Sequence, residues 1–524
     1  MDILADQAQS TQTSDEIAVP TRGDMDIEEF RHYGHQVIDW VTGYVGDRKP
    51  APVLSHMQPG TLGATFEQQL PIEPESMQKI LQDFERLIMP GITHWNSGGF
   101  MGYFGLSASG PSILGDTLDA ALNVTRMLWR TSPAATELEQ ITLDWLRRML
   151  GLPYPLFGML HHNSAILHAL VAAREAIPYL HIRQKGLAGR KPMPRLRIYA
   201  SKEAHASIDK AAIVLGIGQE GLCKINTDSL FRMNVEELER TILQDIRAGW
   251  LPFAVVATVG TTSTTSIDPV PQIATICERY GLWLHVDAAY AGAAAIVPSM
   301  RWILAGCEQA DSITINPHKW LFTSFGSSVF YTRRPDVLKA ALSITPDYLQ
   351  GEEGSTEEAE NLMDYDYVLP HRFPALKLWM VMRYFGQRGL ASRISDHCQL
   401  AQRFAQWVDE APNVERMAPT PLSVVCFRVH PGGIDDDERL DSLNERILQR
   451  VNGTGKFFLS HTRVHNRYAL RMAIGNIRTT AVHVHDLWNT IQAASRAELG
   501  VARGRWPGDQ QGAPRMLSLP TRVR

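Results

Sequence analysis

Between residues 196 and 315 the chain alternates short apolar runs with longer helical stretches, and this alternation limits the folds it can adopt. Four runs are rich in β-branched or aromatic residues: Leu196–Ala200, Phe253–Val259, Leu282–Val286 and Ser312–Ile315. Such an order is typical of βα units, in which helical crossovers join parallel strands. Apolar runs without polar interruption also suit strands that helices cover on both faces. We therefore predict an α/β core with a mostly parallel central sheet flanked by helices.

The chain is too long for this core alone. Its 524 residues exceed the roughly 250–300 at which a single hydrophobic core stops growing. Apolar residues recur on one helical face from Asp26 onward and again from Met77 to Ile88, which predicts an N-terminal helical arm. Beyond about residue 385 two helices alternate with two strands, which predicts a small α+β domain. These four elements are Gln399–Val408, Ser423–Val429, Arg439–Val451 and Arg467–Ala473.

The two ends of the chain carry no periodic apolar pattern, which predicts mobile tails. The predicted divisions are a disordered tail over residues 1–24, the arm and dimerisation segment over 25–109, the large α/β domain over 110–376, the small domain over 377–496 and a mobile tail over 497–524.

Charge and composition exclude several classes of protein. Lys and Arg number 51 against 56 Asp and Glu, so no basic stripe marks a nucleic-acid partner. The apolar stretch Ala288–Val297 is shorter than the roughly 18 residues of a membrane span. The five cysteines form no C-x-x-C pair, which argues against a disulfide framework or a zinc site. The first basic residue, Arg22, follows an acidic stretch, so we predict no export signal. Together these observations predict a soluble cytoplasmic protein without a metal site.

Polar residues follow the predicted strands. In open α/β sheets, ligands bind outside the carboxyl ends of the strands, so chemistry is expected there. The residues at these positions are His205, Thr262, Asp287, Asn316, His318 and Lys319. Their convergence on one edge of the sheet predicts a binding or catalytic site.

Asp287 and Lys319 admit two interpretations. A carboxylate that follows an apolar strand needs a cationic partner, so the two residues could form a structural ion pair. They could equally hold one cofactor between them, with the lysine as a Schiff-base amine and the aspartate on a pyridinium nitrogen. Taken alone, the two residues leave these alternatives evenly balanced.

Longer motifs favour the cofactor. The run Asn-Pro-His-Lys-Trp at residues 316–320, with His285–Gly292 upstream, closely resembles the group II pyridoxal-phosphate-dependent decarboxylases. The resemblance is strongest to the aromatic-L-amino-acid branch, which acts on tyrosine, tryptophan or dihydroxyphenylalanine. Further matches keep the family's order over roughly residues 26–495: Trp95 with Tyr103-Phe104, Ser132–Glu139, Ala204-His205, Ala257–Thr262 and Pro346–Leu349.

The resemblance implies a fold of type I for pyridoxal-phosphate enzymes and a role for each matching residue. Lys319 would form the internal aldimine, Asp287 would bond the pyridine nitrogen and His205 would stack on the ring. The remaining cofactor-binding positions are Thr262, Ala289, Asn316, His318, His162 and Asn163.

The phosphate loop departs from the family, which has small residues such as Ser-Ala-Ser where this chain has histidines at 161 and 162. A protonated His162 could favour the phosphate, or the two rings could crowd it. We therefore expect cofactor binding that is weak or depends on pH.

The implied reaction releases carbon dioxide through a quinonoid intermediate and gives an arylalkylamine, with Tyr348 as the acid that protonates the former α-carbon. Relatives with Phe at this position tend to release an aldehyde, so Tyr348 favours the decarboxylase over an aromatic acetaldehyde synthase. A non-catalytic homologue is a third hypothesis. The implied substrate-binding residues are Trp95, Tyr103, Phe104, Leu106, Met127 and His205. The family also implies a homodimer with the site at the subunit interface.

Overall fold

The computed structural model describes residues 23–46, 51–66, 70–153, 155–162, 165–344 and 361–500. Asn163 and Tyr348 lie outside these ranges. The chain divides into two compact units, Met1–His94 and Trp95–Arg524. The domain boundaries at residues 109 and 376 stay predictions.

The first unit is helical where the sequence predicts helices. Its helices are α1 (Ile27–Val45), α2 (Thr61–Thr65) and α3 (Met77–Asp83), and a π-helical turn (Phe84–Ile88) and a 3-10 turn (Met89–Gly91) follow α3. The Asp26 carboxylate caps α1 by accepting hydrogen bonds from the N–H groups of Glu28 and Glu29. Trp40 of α1 lies edge-on to Phe84, with ring centroids 5.2 Å apart. Trp40 of α1 therefore packs against the second helical run, whereas Phe30, Val37 and Ile38 of the same helix are exposed.

The second unit contains the predicted central sheet. Its strands are β1 (Phe157–His161), β2 (Arg195–Ser201), β3 (Leu222–Ile225), β4 (Trp250–Thr258), β5 (Trp283–Asp287), β6 (Ser312–Ile315) and β7 (Ser328–Thr332). Their order across the sheet is β1-β7-β6-β5-β4-β2-β3. β7 runs antiparallel to both of its neighbours, and the other adjacent pairs are parallel. The mostly parallel sheet is confirmed, although β1, β3 and β7 were not predicted from the sequence.

Helices cover both faces of this sheet. They are α4 (Gly110–Leu122), α5 (Pro133–Leu150), α6 (Ala165–Glu175), α7 (Ile182–Lys185), α8 (Ser207–Val214), α9 (Val235–Arg247), α10 (Val270–Tyr280), α11 (Pro317–Trp320) and α12 (Pro335–Leu342). Along β4, Val255 and Ala257 enter one hydrophobic core, whereas Ala254 and Val256 enter the other. This double burial explains why the strand is apolar without interruption.

The small C-terminal sheet is antiparallel. Its strands are β8 (Val414–Arg416), β9 (Val424–Val429), β10 (Ser460–Val464) and β11 (Arg467–Ala473), in the order β10-β11-β9-β8. The accompanying helices are α13 (Pro374–Glu410), α14 (Asp437–Gly453) and α15 (Ala481–Leu499). The helical path of α13 is interrupted at Gly386, where φ is 62°. The four elements predicted in this region are confirmed, and within the described ranges no helix is long and apolar enough to cross a membrane.

Candidate active site

A cavity of about 430 Å³ opens at the carboxyl ends of β4, β5 and β6. Asp287 is the last residue of β5, and it pairs in parallel register with Thr314 of β6. Lys319 follows β6 on the short helix α11, which begins at Pro317. Adjacent parallel strands therefore bring the two residues to the same edge. Of the residues predicted for the site, the cavity is lined by Trp95, Tyr103, Phe104, Leu106, His205, Thr262, Asp287, Ala289, Asn316, His318 and Lys319.

Lys319 is an amine in a largely apolar setting. Burial lowers its pKa, the carboxylate of Asp287 opposes that shift, and the nearby Arg471 adds to it. The Nζ atom lies 5.2 Å from the centroid of the Phe104 ring. A lowered pKa increases the fraction of neutral amine, which is the nucleophilic form.

Asp287 is 6% exposed. Its Oδ1 accepts a hydrogen bond of 3.1 Å from the backbone N–H of Ala289, which fixes the carboxylate at the end of the strand. The carboxylate lines the cavity together with Lys319, so it can accept a hydrogen bond from a protonated ring nitrogen and stabilise its charge.

His205 follows β2 and lies at the exposed rim of the cavity. Its Nδ1 accepts a hydrogen bond of 3.2 Å from the backbone N–H of Ser207, so the proton of the neutral ring is on Nε2. Partial burial, reinforced by the charge of Lys319, lowers the pKa of the ring. His205 therefore presents a neutral, flat ring to a ligand in the cavity.

His318 and Asn316 offer fixed donors. The backbone N–H of Ser327 donates to Nδ1 of His318 at 3.1 Å, which leaves the ring proton on Nε2. Burial, together with the charge of Lys319, lowers the pKa of His318 to about 3, so the ring is neutral at pH 7. The hydroxyl of Ser328 donates to Oδ1 of Asn316 at 2.6 Å, so the amide NH₂ is the group that remains to donate.

Aromatic rings form one wall of the cavity. Phe104 stacks on Tyr290 with a centroid distance of 3.9 Å, and Trp95 stacks on Tyr103 at 5.7 Å. A side chain at Gly105 would place its Cβ 2.9 Å from the backbone nitrogen of Asn476. Only glycine permits this close approach, which holds the segment with Phe104 against the chain that follows β11.

The sequence analysis missed Arg471, a buried residue of β11 that lines the cavity. Its Nε donates to the carbonyl of Ser263 at 3.0 Å and its Nη1 to the carbonyl of Tyr103, whereas Nη2 has no partner in the described part of the chain. A charged residue between the apolar Leu470 and Met472 was the available signal. A buried guanidinium with an unpaired donor suits an anionic ligand group.

Further lining residues that the sequence analysis did not assign to the site come from β4, β6, β7, β10 and nearby segments. They are Ala165, Ile166, Ser207, Thr258, Gly260, Ser263, Tyr290, Thr314, Phe325, Ser328, Ser460, His461 and Thr462. The hydroxyl of Thr258 is buried and, within the described residues, unpartnered. The cavity therefore holds further polar atoms available to a ligand.

The predicted phosphate loop differs from expectation. His161 turns away from the cavity, and its Nδ1 lies 2.8 Å from a carboxylate oxygen of Asp366. Burial, followed by the charge of Lys377, lowers the pKa of His162, so its ring is neutral at pH 7 rather than protonated. Neither His162 nor Met127 lines the cavity, and Asn163 lies outside the described residues.

Comparisons with known proteins agree with this geometry. The family model described as "Pyridoxal-dependent decarboxylase conserved domain" matches residues 59–430. Tyrosine decarboxylase 2 of Arabidopsis thaliana is 39% identical over 89% of this chain and 87% of its own length. Phenylacetaldehyde synthase of the same plant is 37% identical over 89% of this chain and 96% of its own length. The structure of Oryza sativa TDC with PLP and tryptamine superposes with a TM-score of 0.87 at 32% identity, over 91% of this chain and 99% of that one.

The buried ring of His285, on β5 beside the cavity, predicts a loss of stability at low pH. Burial lowers its pKa from 6.5 to about 4, although the charge of Asp287 opposes the shift. Between pH 6.5 and pH 4 the ring is therefore protonated in the unfolded chain but neutral in the folded one. The free energy of unfolding consequently decreases as the pH falls from 6.5 toward 4. Between pH 7 and pH 5 this histidine should account for a loss of about 2 kcal/mol.

His285→Asn should reduce this pH dependence. We expect the fall in the free energy of unfolding from pH 7 to pH 5 to be smaller by about 2 kcal/mol than in the wild type, measured by denaturation in guanidinium chloride. The exposed His181, which has a left-handed backbone that asparagine accepts, provides the control His181→Asn. Equal losses in the wild type and in His285→Asn would contradict the assignment.

Proposed function

The chain belongs to the pyridoxal-dependent decarboxylase family, and on that premise we propose that it converts aromatic L-amino acids to arylalkylamines and carbon dioxide. It is accordingly a carboxy-lyase that uses pyridoxal 5'-phosphate and has the type I fold. The observation that carries the proposal is the partly buried Lys319 beside Asp287 in a cavity with an aromatic wall.

The residues of the cavity fit this cofactor. We propose that Lys319 holds the aldehyde carbon, Asp287 the ring nitrogen and His205 the ring face. Asn316 and His318 supply neutral donors, and the unpartnered hydroxyl of Thr258 is one more polar atom for the ligand. When bound, pyridoxal phosphate provides the electron sink that stabilises negative charge on the α-carbon as carbon dioxide leaves.

We assign the substrate carboxylate to Arg471. Its unpaired Nη2 is buried, and a carboxylate would supply the missing acceptor as well as the opposite charge. The hydrogen bonds to Ser263 and Tyr103 hold the guanidinium in place before substrate arrives. Arg471 would thus orient the bond that breaks.

The aromatic wall supports an aromatic substrate. Trp95, Tyr103 and Phe104 present flat apolar surfaces, which match an indole or phenyl group better than a carboxylate side chain. Tyr103 is 54% exposed, so this part of the wall is open in the single chain. The proposal covers the class of aromatic L-amino acids, with tryptophan, tyrosine, phenylalanine and dihydroxyphenylalanine as candidates.

The second candidate function is that of an aromatic acetaldehyde synthase, because phenylacetaldehyde synthase is among the similar proteins. We propose Tyr348 as the acid that protonates the α-carbon and so directs the reaction to the amine. The non-catalytic hypothesis loses its main support, because His161 turns away from the cavity toward Asp366.

The reaction can be tested with purified protein and pyridoxal phosphate. Wild-type protein should release carbon dioxide and amine from at least one of the four candidate amino acids. Lys319→Ala should lose turnover together with the absorbance of the covalently bound cofactor, because the other described residues that line the cavity include no lysine. Tyr348→Phe should form amine about 10²–10⁴-fold more slowly. With dissolved oxygen as the oxidant, which is reduced to peroxide, it should also release aldehyde and ammonia. Amine formation that survives in Lys319→Ala would falsify the mechanism, and aldehyde as the main wild-type product would favour the synthase.

Arg471→Met should lower kcat/KM by roughly 10- to 100-fold, because a charged hydrogen bond to the substrate contributes about 1.5–3 kcal/mol. Arg471→Lys keeps the charge without the planar fork, so its loss should be intermediate. Steady-state kinetics would measure both, with cofactor absorbance as the control for an intact site. A normal kcat/KM in Arg471→Met would remove this assignment.

We also propose that the protein is a cytoplasmic homodimer. On α4, Leu114, Leu118 and Leu122 recur every four residues on one face and are 52%, 49% and 57% exposed. A second copy of the chain, with the site at the interface, would cover this apolar stripe and the open rim at Tyr103. The five cysteines are free thiols, which suits a reducing compartment.

Leu118→Glu should dissociate the dimer, because a carboxylate buried at the interface would have no partner there. Light scattering after size exclusion should give twice the chain mass for the wild type and a smaller mass for the variant. Ile246→Glu, at a site 46% exposed on α9, is the matched control and should stay dimeric. A monomeric wild type, or a Leu118→Glu dimer as tight as the wild type, would contradict the proposal.

A further inference from the structure

Four buried side chains of β5 and β6 form a line of hydrogen bonds that ends at the cavity. We call Trp283, Ser312, His285 and Thr314 the hydrogen-bond relay; they are 3%, 0%, 0% and 3% exposed. Trp283 and His285 belong to β5, and Ser312 and Thr314 belong to β6. Residues two apart on a strand point to the same face of the sheet, so the relay runs along one face toward the carboxyl edge.

Three contacts join the members of the relay. The indole Nε1–H of Trp283 donates to Oγ of Ser312 at 2.9 Å. The same Oγ lies 2.9 Å from Nδ1 of His285. On the other side of the ring, Nε2 of His285 lies 3.3 Å from Oγ1 of Thr314.

The indole fixes the direction of these hydrogen bonds, because its N–H can only donate. The hydroxyl hydrogen of Ser312 has Nδ1 of His285 as its one acceptor among the described residues, so Ser312 donates to the ring. Burial lowers the pKa of His285 to about 4, although the charge of Asp287 opposes the shift, and the ring is neutral at pH 7. A neutral ring that accepts at Nδ1 carries its proton on Nε2, and this proton is donated to Thr314.

The last member of the relay is left with a hydrogen to donate. Oγ1 of Thr314 accepts from His285, and its own hydrogen has no acceptor in the described ranges. Thr314 lines the cavity and pairs in register with Asp287. Thr258 pairs with Asp287 from the neighbouring strand, and its buried hydroxyl is also unpartnered. Buried donors without an acceptor are costly, so two of them beside one carboxylate indicate that a ligand binds there.

We propose that Thr314 is a further cofactor-binding residue and that His285 is its positioning residue. The hydroxyl of Thr314 donates a hydrogen bond to bound pyridoxal phosphate on the side of the cavity where Asp287 lies. His285 holds that hydroxyl in the donating orientation, so less rotational freedom is lost when the cofactor binds. This inference rests on the cofactor of the family and not on the substrate or the product of the proposed reaction.

The binding role of Thr314 is tested by the Kd of the full-length chain for pyridoxal phosphate, measured by absorbance titration after removal of the cofactor. Thr314→Val keeps the shape of the side chain without the hydroxyl, so Kd should rise about 3- to 10-fold, as for the loss of one neutral hydrogen bond. Thr314→Ser keeps the hydroxyl and should bind nearly as tightly as the wild type. The control is Thr420→Val, which removes a buried, unpartnered hydroxyl away from the cavity and should leave Kd unchanged.

The positioning role of His285 is tested by two amides of different reach. Asparagine places its amide near the position of Nδ1, so His285→Asn keeps the contact with Ser312 and loses the one with Thr314. Glutamine places its amide near the position of Nε2, so His285→Gln keeps the contact with Thr314. Kd should therefore rise in His285→Asn about as much as in Thr314→Val, and much less in His285→Gln. The double variant His285→Asn/Thr314→Val should bind no more weakly than Thr314→Val, because both changes remove the same hydrogen bond.

The outcomes separate the two roles. An unchanged Kd in Thr314→Val would overturn the binding role, and losses that add in the double variant, or equal Kd values for His285→Asn and His285→Gln, would overturn the positioning role. The Tm of each variant shows whether it folds. Should Thr314→Val not fold, the two His285 variants decide, because both keep the threonine. Failure to decarboxylate any amino acid would leave these results intact, because Kd is measured without substrate.

Discussion

The site depends on one pairing in the central sheet, the parallel alignment of β5 with β6. Asp287 ends the first of these strands and Lys319 follows the second, so the register of the two strands sets the distance between a buried carboxylate and a partly buried amine. Each group makes the burial of the other less costly, and the amine keeps a lowered pKa. A shift of register would separate them and leave two isolated charges in the core.

The surrounding groups are neutral donors held by the backbone. His318 accepts a hydrogen bond from the N–H of Ser327, and His205 accepts one from the N–H of Ser207, so each ring has a defined tautomer. Arg471 adds a buried cationic donor that has no partner among the described residues. The donors of the cavity are therefore already oriented before a ligand binds. Less conformational entropy is lost on binding as a result.

Much of the fold was readable from local patterns. β6 and β11 coincide with their predicted ranges. A run of four or five residues marks a strand only weakly, so β1, β3 and β7 were missed although the equally short β6 was found. The N-terminal helices followed from their apolar faces, although Phe84–Ile88 forms a π-helical turn that periodicity does not reveal.

The sequence by itself determined which chemical groups follow β2, β4, β5 and β6, because the order of residues after a strand is local. The carboxyl ends of parallel strands lie at the same edge of the sheet, so these groups come together there. The tertiary structure decided what joins them. Arg471 reaches the cavity from a strand more than 150 residues beyond Lys319 in the chain, through contacts that no spacing encodes. The direction of His161 was decided in the same way, because the carboxylate of Asp366 that draws it into the core approaches only when the segment before α13 packs against β1 and α6.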